Sequence, residues 1–449
     1  MFRISSRFLA VVSLFIGNIV SACTPATGEN GPVDLPNVKR AAGWYVDSHN
    51  GNDANDGRSK SQAWQSFENI VGGTFSPGDT LYIKRGSQFS GVTLTIDDSG
   101  SLKFPIVVTD YGADSDPAPS FTNSLFDPDH GQYGNCIRIK GSHVIVENMY
   151  CHGTVAEIPS TAKAPFVVMW ELGAIYIDKT AENCIIRHNE TYDCGVGIKS
   201  YGKNAIIEYN YVHDCNRVLK EWNWGPIGIW LGGDYQEVRY NTVINYSAVN
   251  SNINWGPDGY SSGADGGAIE IDDARVPKQN ISIHHNYTRD CQGFMEVTWS
   301  DVLQKPDYRN FHVHHNVCDN YQAFVALWRG AECIFENNTI IRRKVNPVEW
   351  GVFNITQHDS RNIIRNNIIV TEHGVKIFLV GNKNNATPHS VISDNVYWAA
   401  EGELDYGYEG PGANSIVADP LFVNYSGNTA EDFQLRDDSP VKNMGKGAF

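Results

Sequence analysis

The stretch from Asn183 to Cys215, NCIIRHNETYDCGVGIKSYGKNAIIEYNYVHDC, carries one pattern twice. Ile186-Arg187-His188-Asn189 returns 21 positions later as Ile207-Glu208-Tyr209-Asn210, and Cys194 returns as Cys215. The same frame, an apolar residue, two polar residues and Asn, recurs at Ile145–Asn148, Val238–Asn241, Ile283–Asn286, Val313–Asn316, Phe335–Asn338, Ile364–Asn367 and Ile392–Asn395. Gaps between successive asparagines are 41, 21, 31, 45, 30, 22, 29 and 28. A shortest unit near 21 is too short for a strand-helix-strand crossover. It suits one coil of a parallel β-helix, with loops inserted at particular corners.

Each such coil holds two or three short strands, and its backbone pairs with the next coil at ~4.8 Å. Equivalent positions therefore stack in columns. Asn tolerates left-handed turn geometry and hydrogen-bonds along a stack, so its column reads as structural. Five residues on, Cys194, Cys215, Tyr246 and Cys291 form a second column, expected to point inward. Beyond Cys23 the cysteines are Cys136, Cys151, Cys184, Cys194, Cys215, Cys291, Cys318 and Cys333, with no CxxC pair. Buried thiols rather than disulfides are expected.

A further strand lies upstream of each Asn: Ile175–Asp178, Val196–Lys199, Ile227–Trp230, Ile269–Asp272, Met295–Thr298, Val325–Trp328 and Phe353–Thr356. Counting back from the asparagines gives two outward columns. One reads Tyr176, Gly197, Gly228, Glu270, Glu296, Ala326, Asn354; the other reads Asp178, Lys199, Trp230, Asp272, Thr298, Trp328, Thr356. Long insertions, Arg217–Gly225 and Ser247–Gly267, precede this strand in two coils.

Composition agrees with an ordered, acidic chain. Over 449 residues, 51 Asp and Glu outweigh 35 Lys and Arg, for a net charge of −16. That balance argues against a nucleic-acid partner, which needs clustered positive charge. Hydrophobic residues at 41% and aromatics at 11% argue against disorder.

Arg3 and Arg7 precede an apolar run from Phe8 to Val20, and Val20-Ser21-Ala22-Cys23 follows, the pattern of an export signal. This end resembles the lipobox of bacterial lipoproteins. The resemblance implies cleavage before Cys23, lipid on Cys23, a tether over 23–42 and residence in the bacterial cell envelope, anchored only through the lipid. No later apolar stretch approaches the ~20 residues of a membrane span.

The ends of the remaining chain carry a second resemblance. Tyr45-Val46-Asp47, Asn50-Gly51-Asn52-Asp53, Asp56-Gly57, Trp64 and Pro77-Gly78-Asp79 at one end, and Asp419-Pro420-Leu421-Phe422-Val423, Asp432-Phe433 and Ser439-Pro440 at the other, resemble the opening and closing segments of bacterial right-handed parallel β-helix proteins. The pectin-lyase-like superfamily is the group implied, and it holds lyases, hydrolases, epimerases and binding proteins. The fold expected is all-β, a right-handed parallel β-helix over 43–449 in one domain. Its N-terminal cap is expected over about 43–130, coils over 135–400 and a C-terminal cap over 401–449, in a monomer. The Asn52-Asp53…Asp56-Gly57 turn reads as a capping turn, with calcium as the alternative.

Strict alternation in Ala268-Ile269-Glu270-Ile271-Asp272 and Met295-Glu296-Val297 points Glu270, Asp272 and Glu296 outward onto one groove. Like charges stacked this closely raise at least one carboxyl pKa unless a cation intervenes. Trp222, Trp224 and Trp255 lie in the insertions, and Trp230 and Trp328 on the strand face, so the groove reads as carbohydrate-binding, with Lys199 beside it. Carboxylates on neighbouring coils match the ~5–5.5 Å that a retaining glycoside hydrolase needs. An inverting pair would draw on Asp265 or Glu221. The expected activity is hydrolysis of a polysaccharide by Glu270 and Glu296, supported by Asp272, with no cofactor or metal. The alternative is a uronate lyase in which Glu270, Asp272 and Glu296 hold Ca²⁺ and one of Lys199, Lys220, Arg275 or Lys278 abstracts a proton; the third is a glycan-binding protein without catalysis. His284-His285 and His314-His315 must stack in successive coils and read as a polar outer face rather than a metal site.

Overall fold

The chain, seen in a computed structural model, divides into two units, Met1–Lys39 and Arg40–Phe449. The structure describes residues 43–155, 170–216, 225–247, 266–271, 278–297, 308–327, 330–343, 351–355, 361–379, 390–407 and 409–449, all in the second unit. Three sheets of 12, 12 and 11 strands run along it. The first begins at Gly43–Val46, the second at Gln88–Ser90 and the third at Leu94–Ile96. Every pairing within them is parallel, and from coil to coil each strand returns to its own sheet. The expected parallel β-helix is the observed fold.

Alternation builds the core. Ile175 and Ile177, Ile229 and Leu231, Ile269 and Ile271, Met295 and Val297, and Val325 and Leu327 all turn into one continuous apolar interior. The cysteines at 136, 151, 184, 194, 215, 291, 318 and 333 are all buried and free, as expected. Burial pushes the Cys184 thiol up to about 11 and the Cys333 thiol to about 12, so both stay protonated and inert at neutral pH.

The asparagine column is a buried amide ladder. The Asn241 side-chain oxygen accepts from both the backbone N–H and the side-chain amide of Asn210, at 3.0 and 2.9 Å. Its own amide donates to Ile207 O at 2.8 Å and to Asn286 Oδ1 at 3.0 Å. The pattern runs from Asn189 through Asn210, Asn241, Asn286, Asn316, Asn338 and Asn367 to Asn395. Two details differ from the sequence reading. Glu147 pairs with Arg187, so Met149, not Asn148, occupies the first rung, and Met149 donates its N–H to Asn189 Oδ1. The left-handed residue is the one before each Asn, as at His188, Tyr209, Tyr240, His285 and His315, while the asparagines themselves supply the amides.

The two terminal segments pack against the coils. Trp44 stacks on Trp64 with centroids 5.0 Å apart, and Asp53 accepts from the N–H groups of Gln65 and Ser66 at 2.9 Å, so its oxygens cap backbone. At the other end Phe422, Phe433, Val441 and Ala448 cover an apolar outer patch of the second sheet formed by Val317, Ile341, Ile368 and Val396. Among the described residues no helix is long and apolar enough to cross a membrane.

Candidate active site

The third sheet carries the carboxylates. Register pairs Glu270 with Glu296, flanked by Ile269 with Met295 and Ile271 with Val297. Both flanking pairs belong to the core, so the two glutamates leave the same outer face one strand spacing apart, ~4.8 Å. Glu270 is 5% exposed and Glu296 is half-buried.

The rest of this column differs from the sequence reading. Successive partners are Arg138, Tyr176, Lys199, Trp230, Glu270, Glu296, Ala326 and Asn354. Lys199 and Trp230 therefore align with Glu270 rather than with Asp272. Gly197 and Gly228 are not outward positions: a Cβ on either would sit 3.0 Å from Val212 Cγ1 or 2.7 Å from Val243 Cγ1. Core packing at this bend admits only hydrogen there.

Trp230 and Lys199, expected as exposed sugar contacts, are both fully buried. The Trp230 ring packs with Val155, Leu172, Val196 and Ile227 in a separate apolar cluster on the outside of the coil. Lys199 Nζ lies 2.9 Å from that ring's centroid. Two coils before Lys199, Arg138 stands 4.5 Å over the Tyr176 ring and donates to Glu171 at 2.7 Å and Asp178 at 3.1 Å. Cation and aromatic thus alternate up to the glutamate pair. Arg138 is absent from the sequence-predicted columns, although Ile137-Arg138-Ile139 carries the same in-out-in pattern as Ile175-Tyr176-Ile177.

Glu296 borders a small depression lined also by Gly266, Gly267, Ile269, Gly293, Met295, Gln322, Ala323 and Ala326. Gly266 holds φ +125, and a Cβ on it would meet Pro226 O at 2.3 Å. The strand therefore enters the site through a turn only glycine fits.

Asp272, Trp222, Trp224, Trp255, Trp328, Lys220, Arg275, Glu221 and Asp265 lie outside the described residues, as does Cys23. Lys278 is fully buried, with Nζ 5.1 Å over the Tyr308 ring.

No family model matches the chain. A 72-residue stretch is 35% identical to the lacto-N-biosidase of Bifidobacterium longum subsp. longum, spanning 15% of this chain and 4% of that protein. A solved rhamnogalacturonan lyase superposes with TM-score 0.53 at 15% identity, covering 91% of this chain and all of the other. A solved glycoside hydrolase superposes with TM-score 0.51 at 10% identity, covering 83% of this chain and 99% of its own. At these identities the two superpositions establish the architecture, a parallel β-helix.

Proposed function

We propose that this protein is a carbohydrate-active enzyme, a glycoside hydrolase in which Glu270 and Glu296 are the catalytic pair. The observation that carries this reading is their in-register pairing on one outer face. One strand spacing, ~4.8 Å, is close to the ~5–5.5 Å of retaining enzymes. One carboxylate attacks the anomeric carbon and forms a glycosyl ester while the other, protonated, gives its proton to the departing oxygen. Water then opens the ester, its proton passing to the second carboxylate, and the net change is one water consumed per bond cleaved.

The names of the similar proteins, a lacto-N-biosidase, a rhamnogalacturonan lyase and a glycoside hydrolase, support a glycan as substrate. A net charge of −16, with two carboxylates in the groove, favours a neutral glycan over a bare polyanion. A Ca²⁺-assisted uronate lyase using the same carboxylates is the second reading, favoured by their proximity, which also suits a hard cation. Against it, Lys199 and Lys278, two of its four candidate bases, are fully buried.

The deciding experiment is a panel of neutral and uronate-containing glycans, lacto-N-biosides and rhamnogalacturonan among them, assayed with and without a chelator. New reducing ends unaffected by chelator support the hydrolase. Chelator-sensitive unsaturated products would replace it with the lyase, and binding without either product would make the protein a glycan binder.

We further propose export and anchoring through Cys23. Cys23→Ser is expected to abolish incorporation of labelled fatty acid in a bacterial host and to release the protein from the membrane fraction. Undiminished labelling would reject Cys23 as the acylated residue.

A further inference from the structure

We propose that His284, His285 and His314, with His315 stacked on His285, form a binding site for a divalent first-row transition ion of the Ni²⁺, Cu²⁺ or Zn²⁺ class. The site lies at the corner between the first and second sheets, away from the glutamate pair, and stands or falls independently of the proposed hydrolysis. His284 and His314 end paired strands of the first sheet, Ser282–His284 and His312–His314. His285 and His315 follow in the left-handed conformation, at φ 55 and φ 54. This kink sets the two rings of each pair nearly perpendicular, at 82° and 88°. Across the coils like stacks on like: His284 on His314 at 4.7 Å and His285 on His315 at 5.0 Å, each pair of planes within 4°.

The result converges nitrogens. In both pairs the two Nδ1 atoms meet at 2.8 Å. Ligand atoms of His284, His285 and His314 all lie within 4.8 Å of one another. Two imidazoles bound side by side to one ion at ~2.0–2.1 Å hold their nitrogens about 3 Å apart at a right angle. Imidazole nitrogen is a ligand suited to Ni, Cu and Zn.

The proton inventory fits as well. His284 Nε2 lies 2.9 Å from Glu237 Oε1, so the tautomer that donates to this carboxylate carries its proton on Nε2 and presents a lone pair at Nδ1. A carboxylate behind a histidine is the arrangement that orients imidazoles on metals. Between the Nδ1 atoms of His284 and His285 there is room for one proton, and its transfer to the exposed Nε2 of His285 frees both lone pairs. Nor does the coil demand imidazole at this corner. Tyr209, Tyr240, Asn337 and Asn366 hold the same left-handed position in other coils.

The test uses untagged protein stripped with chelator, then dialysed against Ni²⁺ and analysed for bound metal. One ion per chain is expected, with His285→Asn and His314→Gln each weakening affinity at least tenfold. Asn is chosen at 285 because asparagine already occupies that position in later coils. His373→Asn, in a second cluster with Glu372 and Glu401, is expected to leave affinity unchanged. In the unmodified protein, bound Cu²⁺ should show hyperfine splitting from imidazole nitrogens, which decides the matter even where a variant fails to fold. Equal affinity in the 285 and 314 variants, loss only in His373→Asn, or a copper spectrum without nitrogen splitting would overturn the site.

Discussion

Glu270→Gln and Glu296→Gln are each expected to lower turnover on the cleaved glycan by about 10²–10⁴-fold, the range for loss of a positioned acid, base or nucleophile. That corresponds to about 3–5 kcal/mol of transition-state stabilisation, at ~1.4 kcal/mol per tenfold. The amide keeps the size and shape of the carboxyl at a position packed to 5% exposure, so the backbone has no reason to move. It removes the charge, and with it the ability to attack or to carry a proton. Stability supplies an internal control. Two carboxylates one strand spacing apart repel when both are ionised, so neutralising one should leave the melting temperature unchanged or raise it. Turnover above a tenth of the unmodified enzyme in either variant would reject that residue's role. A large loss accompanied by a lower melting temperature would point to damage rather than chemistry.

How the sequence led to this pair, and where it misled, has a physical explanation. The asparagines are legible because the ladder from Asn189 to Asn395 needs an amide on each interior rung, which imposes a visible period. Asn148 mimicked a rung because Ile145 stands three positions before it, although apolar Val146 breaks the frame between them; pairing of Ile145 and Val146 with Ile185 and Ile186 puts Met149 on the rung. Outward columns were harder. Lys199 and Gly197 differ by two positions, a shift that preserves alternation and so leaves no trace in an in-out pattern. Counting back from the rungs misplaces these residues because the connection to the next rung is shorter after Lys199 and Trp230 than after Tyr176. Glu270 and Glu296 survived because they were matched directly to each other by their flanking Ile269-Ile271 and Met295-Val297, without counting through a loop. Burial of Trp230 was invisible for another reason. Its cover, Val155 and Leu172, comes from segments outside its own coil, and outward pointing says nothing about what lies above.

The ladder itself predicts the second large effect, in stability. Asn241→Ala is expected to cost about 3–5 kcal/mol of unfolding free energy. Asn241 is 1% exposed, and its loss removes the acceptor for Asn210 N–H and Nδ2 and the donor for Ile207 O, Arg239 O and Asn286 Oδ1. Each buried polar group left unsatisfied costs about 1–3 kcal/mol, and relaxation within the stack recovers part of the sum. Asn241→Asp separates the two halves of this argument. It keeps the acceptor for Asn210 but aims a carboxylate at three carbonyl oxygens, so at neutral pH it should destabilise at least as much as alanine. Burial and those oxygens raise the folded-state pKa of the new carboxyl above its unfolded value. The stability linked to its protonation is then fully present below the unfolded pKa and is lost as pH rises through the folded one. The Asp variant should therefore recover part of its deficit near pH 4 relative to pH 7, while the Ala variant should not. Because coils contact only their neighbours, faster hydrogen exchange should be confined to the rungs at Asn210, Asn241 and Asn286. Denaturant midpoints and site-resolved exchange measure both effects. A loss below about 1 kcal/mol for alanine would mean that coil-to-coil backbone pairing holds the corner without the amides.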